Sequence, residues 1–342
     1  MSKHEEYEQR IEDGQMVSEI SGWYEMVTKD ADGEAHVHRL YKHSTKERPL
    51  PETNDFITQA NPVVIKPTKK ERPFRDAYVE VFFGDTHHPF QDRQKMHLAQ
   101  IALQEIQPNR VTFLGDDLDH ANFSRFDTRK EWAESTQRGL DEFAQTLAQT
   151  RANTNAEIVV HEGNHNVRLE KQIRGYNGDL LGLRRALAEQ ELGVLTLGFL
   201  MDFEAQQIEY ITGYPEAEYW HSDYLKSFHG SRVTKGSTVN QEVKDQTVNF
   251  VHGHTHRAGI VYRTFNDGRN PRTIFGAEGG TFADLSQIPS GKFSADERGR
   301  PLRQTQDWQT GLTVIHHNEE VIAPQFIPID EGVMINGKVY KS

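Results

Sequence analysis

Short apolar runs alternate with longer polar stretches along the middle of the chain. The runs at 78–83, 110–114 and 157–161 are rich in β-branched and aromatic residues, a composition that predicts strands. The stretches between them, at 92–106 and 130–150, predict helices. Because strands and helices alternate in this region, we expect an α/β fold in which parallel strands carry helices on their faces.

The second half of the chain predicts more strands, at 224–228, 248–251, 259–265, 272–275, 312–317 and 320–327. Asn266-Asp267-Gly268 separates the third and fourth of these runs, which predicts a hairpin. The last two runs are expected to complete a second sheet. Residues 166–223 predict a helical insertion, and the polar, glycine-bearing stretch at 284–308 predicts a long loop.

The N-terminal part differs in composition from the rest. Trp23 to Tyr41 predicts a hairpin around the turn sequence Asp32-Gly33. Prolines among charged residues at 44–75 predict an extended linker. The sequence therefore predicts three parts: an N-terminal extension at 1–76, a main domain at 77–330 that contains the helical insertion, and a C-terminal tail at 331–342.

A basic cluster ends the predicted linker and consists of Lys66, Lys69, Lys70, Arg72 and Arg75. A solvated linker is the plainer interpretation, and contact with the phosphates of DNA or RNA is the functional one. The formal net charge of the chain is -12, which argues against a surface that coats nucleic acid in general. An acidic nuclease that depends on metal ions is still compatible, because its ions neutralise phosphate locally.

The sequence carries no membrane signal. No apolar run approaches the length of a membrane span, and Met1 to Glu6 does not have the composition of a signal peptide. The chain has no cysteine, which excludes disulfides and thiolate metal sites. We expect a soluble protein of the cytoplasm without a membrane partner.

Residues with metal-ligand chemistry follow five predicted strands, in the motifs Asp85-Thr86-His87, Gly115-Asp116-Asp117-Leu118-Asp119, Gly163-Asn164-His165, His229-Gly230 and Gly253-His254-Thr255-His256. Asp85 and His87 lie two residues apart, so in an extended chain they face the same side and can bind one ion. Gly115 permits a tight turn that brings Asp116 to the sheet edge. Sites in open α/β sheets form beyond the carboxyl ends of the strands, so these strand ends can deliver their donors to one place.

The donors are carboxylates, an amide oxygen and imidazoles. This set suits manganese, iron, zinc or similar ions better than an iron–sulfur centre. Two close divalent cations around a shared carboxylate are a device for displacing groups at phosphorus. Asp and Gly are ordinary turn residues when they occur alone, so the ordered set of five motifs is far more specific than any one of them.

In these motifs the chain resembles the calcineurin-like metallophosphoesterase superfamily, over about residues 78–330. The family pattern is D-x-H, G-D-x-x-D, G-N-H-[ED], H and G-H-x-H. The resemblance implies a four-layer α/β/β/α sandwich, here with an N-terminal hairpin and linker extension. A narrower likeness, carried by that extension, by Gly163-Asn164-His165-x-x-Arg168 and by Gly253-His254-Thr255-His256, is to members encoded by tailed bacteriophages. It implies nucleotide or nucleic-acid metabolism in the host cytoplasm.

The resemblance also implies the roles of individual residues. One bridging carboxylate joins two ligand sets: Asp85, His87 and His256 for the first ion, Asn164, His229 and His254 for the second, and Asp116 for both. His165 would be the catalytic imidazole, oriented by Asp119. Manganese is the expected metal, with iron, zinc, nickel and magnesium left open.

The chain departs from the family pattern at two positions. Asn166 stands where the family has Glu or Asp, so the surroundings of the ligands must differ in charge. His120 stands where the protein Ser/Thr phosphatase branch has Arg, which disfavours a protein phosphatase. Arg168 is left between an ion pair with Glu162 or Glu170 and a contact with substrate phosphate.

Three classes of function stay open from the sequence. The leading one is a phosphodiesterase or nuclease that acts on nucleic acid or nucleotides through a hydroxide bridging two metals. The second is a phosphomonoesterase for a nucleotide or another small phosphate ester. The third is a noncatalytic, metal-bound scaffold. The same dimetal core serves the first two, so the motifs alone do not choose between them.

Overall fold

The computed structural model describes residues 18–20, 23–29, 35–41, 76–123, 134–187, 192–234, 237–266, 271–284 and 307–341. The chain divides into two compact units, Met1–Pro62 and Val63–Ser342. Among the described helices, none combines the length and apolarity that crossing a bilayer requires.

The smaller unit contains an antiparallel sheet of three strands, β1 (Ser18–Ile20), β2 (Trp23–Lys29) and β3 (Ala35–Tyr41). β2 pairs with β3 so that Trp23 lies opposite Tyr41, which is the pairing that the predicted hairpin requires. The Asp32-Gly33 turn and the basic cluster at 66–75 lie outside the described residues.

The larger unit has five α-helices in the described residues: α1 (Arg93–Ile106), α2 (Ser135–Asn153), α3 (Arg168–Asn177), α4 (Leu197–Leu200) and α5 (Thr238–Asp245). Its strands are β4 (Tyr78–Phe83), β5 (Arg110–Phe113), β6 (Glu157–His161), β7 (Ile208–Ile211), β8 (Tyr219–Ser222), β9 (Leu225–Phe228), β10 (Asn249–His252), β11 (Ala258–Asn266), β12 (Pro271–Gly279), β13 (Gly311–His317), β14 (Ile322–Pro328), β15 (Gly332–Ile335) and β16 (Lys338–Lys341).

Six strands form the first sheet, in the order β14-β13-β4-β5-β6-β7. β4, β5, β6 and β7 are parallel, and β13 joins β4 antiparallel with Leu312 opposite Phe83. The expectation that the last two strands complete the second sheet is therefore wrong. β13 is buried along nearly its whole length, so it needs an inner position, and the free side of β4 provides one. Burial alone does not reveal which sheet offers that position.

Five strands form the second sheet, in the order β11-β12-β10-β9-β8. β9, β10 and β12 are mutually parallel, and the predicted hairpin of β11 and β12 is antiparallel. The turn between those two strands lies at 267–270, outside the described part of the chain.

The two sheets pack face to face with helices outside. On β4, Val79, Val81 and Phe83 face a core shared with α1 and α2, whereas Phe82 faces the second sheet. α5 covers the outer face of the second sheet, where its Val239 packs on Phe250. The predicted four-layer α/β/β/α sandwich is confirmed.

A buried polar cluster ties the two sheets together around Glu80 on β4. Glu80 accepts a hydrogen bond from His317 Nε2 at 2.8 Å, pairs with His221 of the second sheet, and lies 3.5 Å from Arg110 Nη1. Burial raises the pKa of Glu80, but the bonds from His221 and His317 and the charge of Arg110 outweigh it and lower the pKa to about 2. The carboxylate is therefore charged although it is fully buried.

Two predicted segments differ from their expected form. The region 166–223 is not wholly helical, because β7 extends the first sheet and β8 extends the second. Residues 331–342 are not a simple tail, because β15 and β16 form a hairpin that packs against α1. Val333 and Ile335 alternate with exposed positions and are buried in the main core, which fixes this hairpin.

Candidate metal centre

The loops that carry the five motifs leave the ends of β4, β5, β6, β9 and β10 and meet at one edge of the sandwich. Four of the candidate ligands have a left-handed backbone, with φ values of 51° at His87, 52° at Asp116, 69° at His254 and 61° at His256. Residues other than glycine rarely adopt this backbone conformation, and such strain concentrates at functional sites. The chain therefore turns sharply at these four donors.

The first group of donors is Asp85, His87 and His256, all buried. His256 Nε2 lies 2.9 Å from His87 Nε2 and 3.1 Å from Asp85 Oδ2. His87 donates its other nitrogen, Nδ1, to Asp119 Oδ2 at 3.0 Å, so its Nε2 is an acceptor. A proton on His256 Nε2 must therefore satisfy two acceptors, in the position where this donor set fits a divalent cation.

The second group is Asp116, His229 and His254. His229 donates from Nδ1 to Leu114 O at 2.8 Å, which directs Nε2 toward Asn164 Oδ1 at 3.2 Å and Asp116 Oδ2 at 3.3 Å. Burial lowers the pKa of His229, but the carboxylates of Asp116 and Asp85 raise it to about 9. The ring thus holds a proton among acceptors, and a metal that binds there would release it.

Two glycines allow the motif loops to approach one another. A Cβ on Gly163 would overlap Asp116 Oδ1 and the Asp116 main-chain nitrogen, and a Cβ on Gly253 would lie 2.6 Å from Asp85 Oδ1. In the present arrangement, His165 N donates to Asp116 Oδ1 at 2.7 Å and His254 N donates to Asp85 Oδ1 at 2.9 Å. Both carboxylates are oriented by neighbouring main chain.

Asp119 contacts two imidazoles. Its carboxylate accepts from His87, and its main-chain oxygen lies 3.1 Å from His165 Nδ1. Its Oδ2 is 3.6 Å from the same His165 nitrogen. Burial raises the pKa of Asp119, but hydrogen bonds from both rings lower it below its usual range. The sequence motifs predicted contact between Asp119 and His165 but did not predict the hydrogen bond between Asp119 and His87.

Arg168 lies on the predicted catalytic imidazole. Its Nη2 donates to His165 Nε2 at 2.8 Å, and its Nη1 donates to Asp119 O at 2.9 Å. Because His165 Nε2 accepts, Nδ1 carries the ring proton in this arrangement and donates it to Asp119 O. His165 lies in the turn that precedes α3, three residues before Arg168, and this spacing was the available signal for the contact.

Asn166, the departure from the family pattern, joins two motif loops. Its Oδ1 accepts from Asp116 N at 2.6 Å and from Gly163 N at 3.1 Å. These are donors that a carboxylate could also satisfy, so the amide keeps the loop geometry without adding negative charge.

Aromatic rings contact a ligand candidate in each group. Trp308 packs edge-on against His256, with ring centroids 4.2 Å apart, and Tyr214 packs against His229 at 5.7 Å. Both side chains are partly exposed. Trp308 ends the stretch that the sequence predicts as a long loop, and its place at the site was not predicted.

No family model matches the chain. It is similar to "Gene 54 protein" of Mycobacterium phage L5, 25% identical over 274 residues that span 76% of this chain and 98% of the phage protein. The protein of the same name from Mycobacterium phage D29 is 26% identical over 269 residues, with coverage of 76% and 98%.

Solved structures of Vps29 are also similar. The one from Chaetomium thermophilum is 11% identical with a TM-score of 0.34, covering 78% of this chain and 93% of the other. The one from Cryptosporidium parvum is 13% identical with a TM-score of 0.32, covering 78% and 96%.

Proposed function

We propose that the protein is a dimetal phosphoester hydrolase, and that its substrate is a phosphodiester of nucleic acid or nucleotides. The observation that carries the proposal is the meeting of two groups of carboxylate and imidazole donors, all buried except the partly exposed His254, beside His165. In the reaction, water adds across a P–O bond of the diester and gives a phosphate monoester and an alcohol.

The proposed ligands are those of the sequence: Asp85, His87 and His256 for one ion, Asn164, His229 and His254 for the other, and Asp116 for both. When bound, the cations would lower the pKa of a water ligand and neutralise charge on the phosphoryl oxygens. Manganese is the proposed metal, and the same carboxylate, amide oxygen and imidazole donors also suit iron and zinc, which the reloading experiment compares.

Side chains of the protein orient the imidazoles and supply the proton for the leaving oxygen. Asp119 holds His87 so that Nε2 faces the first ion position, and it holds His165 through its main-chain oxygen. We assign His165 as the proton donor to the leaving oxygen, through Nε2, which lies 3.8 Å from Asp116 Oδ2. Arg168 donates to that same nitrogen, so its guanidinium must turn away when His165 Nε2 carries a proton. The guanidinium is then free to bind the phosphoryl oxygens.

The setting that we propose is a host cell infected by a phage. The support is the similarity to two mycobacteriophage proteins along nearly their whole length. A phage-encoded phosphodiesterase would meet nucleic acid and nucleotides in the host cytoplasm.

The proposal is tested by stripping the purified protein with a chelator and reloading it with manganese, iron, zinc, nickel or magnesium. The substrates are bis-p-nitrophenyl phosphate, p-nitrophenyl phosphate, single- and double-stranded DNA, RNA and cyclic dinucleotides. We expect metal-dependent hydrolysis that prefers diesters. His254→Ala should lose it, and His97→Ala, an exposed histidine on α1, should keep it. Preference for the monoester would make the protein a phosphomonoesterase, and two bound ions without hydrolysis would make it a scaffold.

A further inference from the structure

Tyr214 belongs both to the metal centre and to a neighbouring cavity. Its ring contacts His229, and it lines a cavity of about 390 Å³ together with Lys171, Arg174 and Tyr210. Small-molecule sites begin at roughly 300 Å³, so the cavity has room for a nucleoside. A ligand held at the metal centre can therefore extend over Tyr214 into this space.

Hydrogen bonds to Glu162 hold the loop that carries Tyr214. Glu162, which immediately precedes Gly163-Asn164-His165, accepts hydrogen bonds from Gly213 N at 2.9 Å and Tyr214 N at 3.0 Å. The same strand end thus positions both the predicted catalytic imidazole and the aromatic ring. A ring fixed before binding costs little conformational entropy when a ligand stacks on it.

Helix α3 places three cations along this path. Arg168, Lys171 and Arg174 follow at intervals of three residues, a spacing that keeps side chains on one face of a helix. Arg168 contacts His165, Lys171 Nζ lies 5.7 Å from the Tyr214 ring centroid, and Arg174 lines the cavity. Glu162 and Glu170 line the same cavity, but both carboxylates accept hydrogen bonds from main-chain nitrogens. The cations of α3 are therefore the charged groups that are available to phosphates there.

Trp308 provides a second ring, beside the other group of donors. Gln309, the next residue, donates from its main-chain nitrogen to His256 O at 3.2 Å and accepts from Thr281 N at 2.9 Å. Its side chain accepts from Ala258 N at 2.9 Å. The backbone that carries Trp308 is thus tied to the loop that carries His256.

We infer that the site binds single-stranded nucleic acid, with one base stacked on Tyr214, another on Trp308, and phosphates that neighbour the scissile one held by Lys171 and Arg174. This inference rests on the proposed function and names its substrate class. Aromatic platforms interleaved with cations are the combination that binds single strands without reading sequence. A duplex keeps its base faces stacked on one another and cannot offer them to these rings. A phosphomonoester has a nucleoside on one side only and could use one ring.

The test compares two single strands that carry the same charge. One is an oligothymidylate, and the other is a fully abasic oligomer of equal length that keeps every phosphodiester. With the manganese-loaded protein, the kcat/KM ratio of base-bearing over abasic strand should exceed one. Each ring should contribute about 5- to 150-fold, the range of base–aromatic stacking. Because the ratio is taken within one protein, partial loss of folding or metal cancels.

The variants separate stacking from packing. Tyr214→Leu and Trp308→Leu should each lower that ratio by about 5- to 150-fold, and Tyr214→Phe, which keeps the ring, should restore it. Trp220→Leu is the matched control, because Trp220 is exposed on β8 and belongs to neither donor group. A ratio that stays constant in both leucine variants would overturn the inference, since the rings would then only support the ligands.

Binding to the metal-free protein gives a readout that does not depend on turnover. In chelator and at low ionic strength, the oligothymidylate should quench tryptophan fluorescence, and the abasic strand should not. Trp308→Phe should remove the quenching, and Trp220→Phe should keep it. Equal quenching in Trp308→Phe and the wild type would overturn the inference.

Failure of this inference differs from failure of the proposed function. If the wild type hydrolyses bis-p-nitrophenyl phosphate but cleaves both strands equally, the phosphodiesterase stands and the base platforms are refuted. If no diester is hydrolysed with any metal, the proposed function fails and this inference fails with it.

Discussion

Single hydrogen bonds decide which nitrogen each imidazole presents to the site. Asp119 accepts a hydrogen bond from His87 Nδ1, Leu114 O accepts one from His229 Nδ1, and in both rings Nε2 faces the interior. A buried acceptor behind a ring fixes its tautomer and its direction at once. The donor geometry is therefore set by residues that themselves bind no ion in the proposed assignment.

His165 should act on substrate and not hold a metal. Removing its ring in His165→Ala should lower kcat by about 10²- to 10⁴-fold, the usual scale for an acid–base group. Metal content should stay at two ions, because the alanine keeps the main-chain N–H that donates to Asp116 Oδ1. Elemental analysis and turnover on a small diester measure the two effects. Loss of one ion from the variant would reassign His165 as a ligand.

The motifs predicted which side chains meet, because their spacing after strand ends is a local property of the chain. Asp85 and His256 are brought together as expected, and so are Asn164 and His229. Trp308 carried no such signal, since it follows no strand and has no motif around it. Its position depends on long-range pairing of the neighbouring backbone, which a sequence read in short windows does not contain.

At the scale of elements, the site depends on two sheets ending at the same edge. The loops after β5 and β6 touch because Gly163 has no side chain, so main chain passes directly over Asp116. Apolar runs predicted the positions of β4, β5 and β6 in the first sheet, whereas β7 of that sheet lies in the segment predicted as a helical insertion. The sequence did not predict which sheet contains β13. A strand that is buried on both faces fits either sheet equally well by composition alone.

Gly163→Ala should break the contact between these two loops. The new Cβ would overlap Asp116, and overpacking of this kind costs about 1–3 kcal/mol of stability. The carboxylate must shift, so calorimetry should show weaker metal binding. Gly182→Ala is the matched control, because no atom lies within 4 Å of its added Cβ. Unchanged metal affinity in Gly163→Ala would show that the close approach is not required.

At the scale of the whole molecule, the two sheets are joined by a buried charge as well as by apolar packing. Glu80 lies between them with partners from both, His317 from the first sheet and His221 from the second. Removing one partner of such a cluster leaves the others buried without compensation. The cluster therefore makes the stability of the sandwich depend on pH.

Glu80→Gln should show this dependence. The pKa of Glu80 is lowered to about 2 in the folded chain, so its contribution is present above the unfolded value and lost as pH falls from about 5 toward 2. At neutral pH the variant should be less stable by about 3 kcal/mol, and the difference should shrink through that window. Urea unfolding of both metal-free proteins at several pH values measures it.

The control is Glu157→Gln, which removes an exposed carboxylate from the same arginine, Arg110. Surface pairs contribute within about 1 kcal/mol, so this variant should differ little from the wild type at any pH. A stability difference for Glu80→Gln that stays constant from neutral to acid pH would refute the role of the Glu80 charge.

The place of β13 has a consequence for how the protein is made. β4 is an inner strand whose neighbour on one side comes from residues 311–317, near the end of the chain. When translation has passed His256 but has not reached residue 311, every proposed ligand has been synthesised. At that stage β4 still has an open hydrogen-bonding edge. Exposed edges of this kind pair with other chains. A chain truncated before residue 311 would therefore contain all the proposed ligands and would be prone to aggregate.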